Sequence, residues 1–309
     1  MYHTDTVAMN ILVTGANGQL GMELRRASKG SGHNFIFTDI SQVPGLETVS
    51  LDITNIDAVR ITAASESVDV IVNCAAYTDV DRAESEIGLA DMLNHTAVAG
   101  LARVARERKA VLIHISTDQV FHGDNHIPYT EEDTPDPLGA YGITKYAGEQ
   151  SVRDSGCRHI IIRTAWLYSA SGRNFVKTIA GLTRGGGPVD AVCDRIGSPT
   201  FAGDLAELIV RIIRDGMLDM TGTYHYTDEG CASWYDLAVA VCGLCGNGCE
   251  VRPVRSDQHP SGAPSPHYSV LDKSLVKERF GITIPHWTSS LKKCIEEIYE
   301  DKVTGKDSR

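Results

Sequence analysis

Tyr141-Gly-Ile-Thr-Lys145 sets a phenol and an ammonium four residues apart. On a helix, positions i and i+4 share a face, so the two groups can meet over one substrate atom. A free tyrosine titrates near ~10 and serves poorly as an acid–base group at neutral pH. A neighbouring cation favours the phenolate and lowers that value. Such a pair can hand a proton to a carbonyl oxygen while its carbon is being reduced. Upstream, Ile113-His-Ile-Ser116-Thr117-Asp118 closes an apolar run with two hydroxyls and a carboxylate. Either Ser116 or Thr117 could hydrogen-bond that carbonyl.

A second constellation concerns phosphate. Gly15-Ala-Asn17-Gly18-Gln19-Leu20-Gly21 follows an apolar run and opens a helix-like stretch, with the spacing G-x-x-G-x-x-G. Glycine lets the backbone approach a pyrophosphate closely. The N-terminus of the following helix offers open N–H donors and partial positive charge to that anion. The strand–turn–helix context makes this a dinucleotide site rather than a bare turn. Asp39 ends the next apolar run, where a carboxylate can accept from an adenosine ribose hydroxyl and repel a 2′-phosphate. No Arg or Lys stands in the five residues after it, which tilts the expectation toward NAD over NADP. Asp52-Ile53 lies where adenine is often met in such folds.

The elements that must carry these groups are legible as alternation. Asn10–Thr14, Phe35–Thr38, Val68–Cys74, Ala110–Ser116 and Arg158–Thr164 are apolar and β-prone. Helix-patterned segments lie between them: Leu20–Ala27, Ile56–Ser65, Ala90–Arg106 and Tyr141–Asp154. Near-continuous apolar strands alternating with helices predict an α/β fold, a doubly wound parallel sheet covered on both faces. We place this Rossmann-type NAD(P)-binding domain over residues 9–165. A smaller α/β substrate domain follows over 166–300, where Gly, Pro, Ser and Asp become frequent. The amphipathic stretch Phe201–Asp215, within residues 197–216, is expected to pack back on the first domain. The polar tail Lys302–Arg309 is expected to fray.

Bulk properties exclude several classes of partner. Asp and Glu exceed Lys and Arg by enough to give a formal net charge of −11, which argues against nucleic acid and anionic membrane surfaces. No apolar run approaches the ~20 residues of a membrane span. Residues Met1–Met9 lack the pattern of a secretion signal, so a cytoplasmic location with reduced thiols is expected. Cys242, Cys245 and Cys249 cluster in sequence, but no His or second C-x2-C pair completes a ligand set. The sequence is compatible with a homodimer without specifying one.

Taken together, the chain resembles the dTDP-4-dehydrorhamnose reductases, extended short-chain dehydrogenase/reductases that finish dTDP-L-rhamnose synthesis. The resemblance runs from about Met9 to about Tyr299. It is carried by Asn10–Gly21, Val72-Asn-Cys-Ala75-Ala76-Tyr77-Thr-Asp-Val-Asp81, Ser116-Thr117-Asp118-Gln119-Val-Phe121, Tyr141–Glu149, Arg163-Thr-Ala-Trp166-Leu-Tyr168 and Gly197-Ser-Pro-Thr200. It implies NADPH- or NADH-dependent reduction of the C4 keto group of a dTDP-linked 4-keto-6-deoxy sugar. By the same resemblance, Thr117, Tyr141 and Lys145 form the catalytic trio, with Lys145 also on the nicotinamide ribose. Ala75, Ala76 and Tyr77 flank the cofactor, and Asn94 helps order its site. Trp166 lines the sugar site, and Asp118, Gln119, Asn174 and Phe175 contact the nucleotide sugar. Some relatives bind Mg2+ at a dimer interface. Glu23 matches one such ligand position, but no convincing further ligands for a metal stand with it in the sequence, so no metal is expected.

Three positions depart from the family pattern. Gln119 replaces a usual Tyr, Arg195 follows Asp194 where Gln is frequent, and Ser265-Pro266-His267-Tyr268-Ser269 lacks a usual Arg. Two other readings compete with the reductase. One is a non-catalytic NADP-binding regulatory subunit of the methionine adenosyltransferase type, which would have no need of a proton donor such as Tyr141. The other is a nucleotide-sugar epimerase or dehydratase, although a dehydratase would usually carry Glu after Asp118.

Overall fold

The computed structural model describes residues 8–183, 187–246, 248–258 and 262–303. Most of the leader at Met1–Met9 and of the tail at Lys302–Arg309 lies outside them.

The first half of the chain is an alternation of strands and helices. It comprises β1 (Asn10–Thr14), α1 (Gln19–Ala27), β2 (Asn34–Asp39), β3 (Val49–Ser50), α2 (Ile56–Ser65) and β4 (Val70–Asn73). Next come α3 (Val80–Ala83), α4 (Ile87–Asp91), α5 (Ala97–Arg108), β5 (Val111–Thr117), α6 (Ala140–Asp154) and β6 (Arg158–Thr164). Then follow β7 (Leu167–Tyr168), α7 (Phe175–Leu182), β8 (Val189–Val192), β9 (Ile196–Gly197), β10 (Thr200–Phe201) and α8 (Ala202–Arg214). The chain ends with β11 (Gly222–His225), β12 (Ala232–Ser233), α9 (Trp234–Cys245), β13 (Val251–Val254), α10 (Ser274–Phe280) and α11 (Trp287–Val303).

One seven-stranded sheet, ordered β11-β6-β5-β4-β1-β2-β3, runs through the molecule with every pairing parallel. Its inner strands are buried on both faces, so they read as unbroken apolar runs rather than alternating ones. Alternate residues still face opposite ways. Ile11, Val72, Ile113 and Ile162 enter one core with α1, α8 and α10, while Leu12, Ile71, Leu112 and Ile161 enter the other with α2 and α5. A third core joins α7, α9 and α11 into the smaller lobe.

A boundary at residue 165 does not contain the sheet. Its edge strand β11 lies in the second half and pairs with β6 through Gly222↔Ile160 to His225↔Arg163. β11 is short and carries Thr, Tyr and His, so its pattern is too weak to read as a strand until β6 offers it an edge. The amphipathic helix α8 does pack on α1, burying Leu205, Leu208, Ile209, Ile212 and Ile213. Glu23 of α1, nearly buried, pairs with Arg26, which also reaches Glu297. Among the described residues, no group of three or more His, Cys, Asp or Glu could hold a metal.

Candidate active site

The strand order reverses at β1 and β4, and the chain crosses over there. In such sheets the crevice at the carboxyl ends of the strands beside that point takes the ligand. A cavity of about 1010 Å³ opens there, between the sheet and the smaller lobe. Ligand pockets usually span about 300–1,000 Å³, so this one lies at the upper end of that range.

At one end the glycine loop forms the wall. Gly15 sits at φ 64°, and a Cβ on it would stand 2.6 Å from the Ala75 nitrogen, so only glycine fits. Gly18 caps α1 without any side chain accepting from the first turn. Gly15, Asn17, Gly18, Gln19 and Leu20 all line the cavity, as do Asp39, Asp52, Ile53, Ala75 and Ala76. An uncapped helix start, a backbone laid bare at Gly18 and a carboxylate at the end of β2 together fit a dinucleotide. Gly21 is required for packing instead, since it lies outside the wall and a Cβ there would strike Ala16. Asp39 accepts from the Asn17 amide (3.0 Å) and from Ser41. The fold also supplies what its sequence neighbours lack. Arg25 on α1 feels the charge of Asp39, lies over the Phe37 ring and donates to Asn17 Oδ1 (3.2 Å).

Two residues assigned to the cofactor by resemblance point elsewhere. The Tyr77 phenol turns from the cavity and donates to Glu86 Oε2 (2.6 Å). Asn94, fully buried in a π-helical turn (Met92–Thr96), does not reach the cavity either. Its amide accepts from Tyr77 N (2.9 Å) and donates to Tyr77 O and Thr144 Oγ1. Asn94 thus ties the loop after β4 to α6, and with it the helix that carries Tyr141 and Lys145.

Further along the cavity, β5 and α6 bring the hydroxyls and the Tyr–Lys pair together. Consecutive strand residues face opposite sides, which separates the two candidate hydroxyls. Ser116 Oγ donates to the buried Glu149 (2.5 Å). Thr117 Oγ1 donates to Asp118 Oδ1 (3.1 Å), accepts from Gln119 N (3.2 Å) and lies close enough to the Tyr141 phenol to favour its anion. Thr117 is therefore the hydroxyl beside the phenol. Lys145, also buried, donates to the Ile115 carbonyl (2.6 Å). Gly142 lets α6 press against the turn at Gln119, because a Cβ there would collide with the Gln119 carbonyl. Gly142→Ala is expected to cost about 1–3 kcal/mol through overpacking and to lower turnover at least ~10-fold by shifting Tyr141 from Thr117. Thermal unfolding and steady-state rates on the same preparation check both effects.

The electrostatics overturn one expectation. Lys145 does not lower the Tyr141 phenol; burial dominates and pushes it up to about 12, with the nearby Thr117 hydroxyl pulling the other way. Burial pushes the Lys145 ammonium down to about 8, while Glu149 and Cys74 favour its charge. Asp118, beside them, is raised by burial to about 6 against hydrogen bonds from Ser269 and Thr117. At neutral pH the site thus holds a protonated phenol and a lysine that is mostly charged but easier to deprotonate than a free one.

Aromatic and cationic groups of the smaller lobe complete the wall. Trp166 adopts φ 47°, a strained conformation for a bulky residue, and stacks on Trp234 with centroids 3.6 Å apart. Phe175 packs against Trp234 at 4.7 Å. Asn174 caps α7 by accepting from Lys177 N and holds the glycine loop through Gln19 Oε1 (2.9 Å). Trp166, Asn174, Phe175, Asp118 and Gln119 all line the cavity. So do Trp234 and Arg173, which no local sequence signal marks as site residues, and Arg195, one of the departures from the family pattern. Trp234 stands at the first position of α9, where the only legible signal is the Ser233–Asp236 capping box behind it.

Known proteins share this architecture and sequence. Residues 9–300 match the family model described as the RmlD substrate binding domain. The chain is 36% identical over 299 residues to the dTDP-4-dehydrorhamnose reductase of Escherichia coli (strain K12), covering 94% of this chain and 98% of that one. A crystal structure of a dTDP-4-dehydrorhamnose reductase from Clostridium acetobutylicum superposes with a TM-score of 0.87 at 38% identity, covering 94% of this chain and all of that one. The Bacillus anthracis dTDP-4-dehydrorhamnose reductase, solved in complex with NADP, gives 0.85 at 32% identity over 94% of this chain and 100% of that one. Identity of this size, sustained across the sheet, the cavity wall and the smaller lobe, makes the chain a member of the dTDP-4-dehydrorhamnose reductase family.

Proposed function

We propose that this protein reduces the C4 keto group of dTDP-4-dehydro-L-rhamnose to give dTDP-L-rhamnose in the cytoplasm, using NADPH or NADH. The observation that carries the reading is the meeting of Thr117, Tyr141 and Lys145 on one wall of the cavity, beside the glycine loop and Asp39. The reduced nicotinamide supplies the hydride. The chain's own residues manage the proton and the geometry. Thr117 and Tyr141 hold the carbonyl oxygen by two hydroxyls, and the Tyr141 phenol gives up its proton to that oxygen. A phenol raised to about 12 is protonated throughout the physiological range, the form that reduction requires. Lys145, anchored on Ile115 O, orients the nicotinamide ribose and offers positive charge as the phenolate forms. Gly15, Gly18 and the start of α1 take the cofactor pyrophosphate, Asp39 the adenosine ribose, and Trp166 borders the sugar.

An intact proton donor disfavours the regulatory-subunit reading, and Gln119 after Asp118 disfavours the dehydratase. NAD(P)H consumption with enzymatically prepared dTDP-4-dehydro-L-rhamnose tests the proposal; no consumption with either cofactor would defeat it. The pH profile provides a second check. The phenol stays protonated below about 12, so of the Tyr141–Lys145 pair the first to lose its proton on raising the pH is the Lys145 ammonium, at about 8. Reduction is expected to hold level below that value and to fall by about tenfold per pH unit above it, the slope of a single essential proton.

A further inference from the structure

Building on the nucleotide-sugar reading above, we infer that Arg195 is the cation that receives the diphosphate of the substrate, while Arg173 serves the cofactor side of the cavity. The cavity must hold two diphosphates if it holds a dinucleotide and a nucleotide sugar together. Among the described residues lining it, three carry a cation: Lys145, Arg173 and Arg195. Against them stand the carboxylates of Asp39, Asp52, Asp81 and Asp118, in a chain of net charge −11. A diphosphate therefore depends on these few cations, and Lys145 is already committed deep in the site to Ile115 O.

Position divides the remaining two. Arg173 sits between Gly172, which packs on Gln19, and Asn174, which donates to Gln19 Oε1 (2.9 Å). It belongs to the end of the cavity built on the glycine loop. Arg195 precedes β9, whose Ile196 amide donates to His267 O (2.7 Å) and whose carbonyl accepts from Ser269 N (2.9 Å). The next residue, Gly197, lies against the Trp166 indole. Arg195 is thereby fixed beside Trp166 and the late loop that contributes Ser265 and Pro266 to the wall. Its acidic chain neighbour Asp194 is directed to Ser256, accepting from its amide (2.9 Å) and hydroxyl (3.0 Å). A guanidinium there can grip phosphate oxygens in bidentate fashion, which a lysine or an amide cannot reproduce.

The test is equilibrium binding of dTDP, thymidine and NADPH to the full-length protein and to Arg195→Gln, Arg195→Lys and Arg173→Gln, by calorimetry. Arg195→Gln is expected to weaken dTDP by roughly 10- to 100-fold, the scale of charge-assisted hydrogen bonds. It should leave thymidine and NADPH within about twofold, which also reports an intact fold. Arg195→Lys should fall between, and Arg173→Gln should weaken NADPH more than dTDP. Unchanged dTDP affinity in Arg195→Gln overturns the assignment, as does an equal loss for NADPH. A wild type that binds NADPH but not dTDP removes the nucleotide-sugar reading itself, and the role of Arg195 with it.

Discussion

Tyr141→Phe is expected to lower kcat for reduction by at least ~10²-fold, the scale of a lost general acid, with little change in cofactor affinity. Removing one oxygen deletes the proton donor and leaves the ring among Ala83, Ala90 and Ala140. The fold should therefore survive, and circular dichroism and NADPH binding should match the wild type. Thr117→Val should cost less, because it removes an orienting hydroxyl but leaves the proton donor. A Tyr141→Phe enzyme that keeps wild-type turnover would mean that another group protonates the product. Asp118, raised by burial to about 6 and bonded to Thr117, would be the next candidate.

The largest effect on stability is expected at Glu149. It lies on the same helix as Lys145, and its carboxylate is fully buried. Arg163 donates to both of its oxygens (2.9 and 2.8 Å), Arg153 adds a third bond at 2.7 Å, and Ser116 a fourth. Glu149→Ala would leave the buried Arg163 guanidinium without its counter-charge. Breaking a buried pair in this way typically costs about 3–5 kcal/mol. Arg153→Ala, at a partly exposed partner, should cost about 1 kcal/mol or less. Urea unfolding of both variants checks the ranking; equal losses would show that the Arg163 pair is not the element at stake.

The same network has a pH signature. Arg163, Ser116 and Arg153 hold the Glu149 carboxyl below its ordinary 4.5 in spite of burial. A depressed carboxylate lends stability that is fully present above 4.5 and is lost as the pH falls through the folded-state value. Glu149→Ala should flatten the acid limb of stability. It should also move the alkaline limb of activity downward, since Glu149 favours the charged form of Lys145.

Much of this architecture follows from local pattern. Unbroken apolar runs at β1, β4, β5 and β6, separated by amphipathic helices, are what a sheet buried on both faces demands, so the parallel core is legible without coordinates. The glycine loop and the Tyr141–Lys145 spacing are legible for the same reason: each is a property of one turn or one helix face. What depends on distant segments is not. Ser116 and Thr117 are equivalent as text, and only the strand's facing gives one to Glu149 and the other to Tyr141.

Tyr77 and Asn94 are expected at the cofactor, yet the Tyr77 phenol turns to Glu86 at the start of α4, and Asn94 turns to Thr144 of α6. The strand β11 gains its identity from an open edge at β6. Arg25 reaches Asp39, and Trp234 and Arg195 reach the cavity, across separations in sequence that leave no periodic trace. The acidity of Tyr141 is the sharpest instance. Spacing alone argues for a phenol lowered by its lysine, whereas burial raises it, because desolvation belongs to the assembled site and not to the helix that carries the residue.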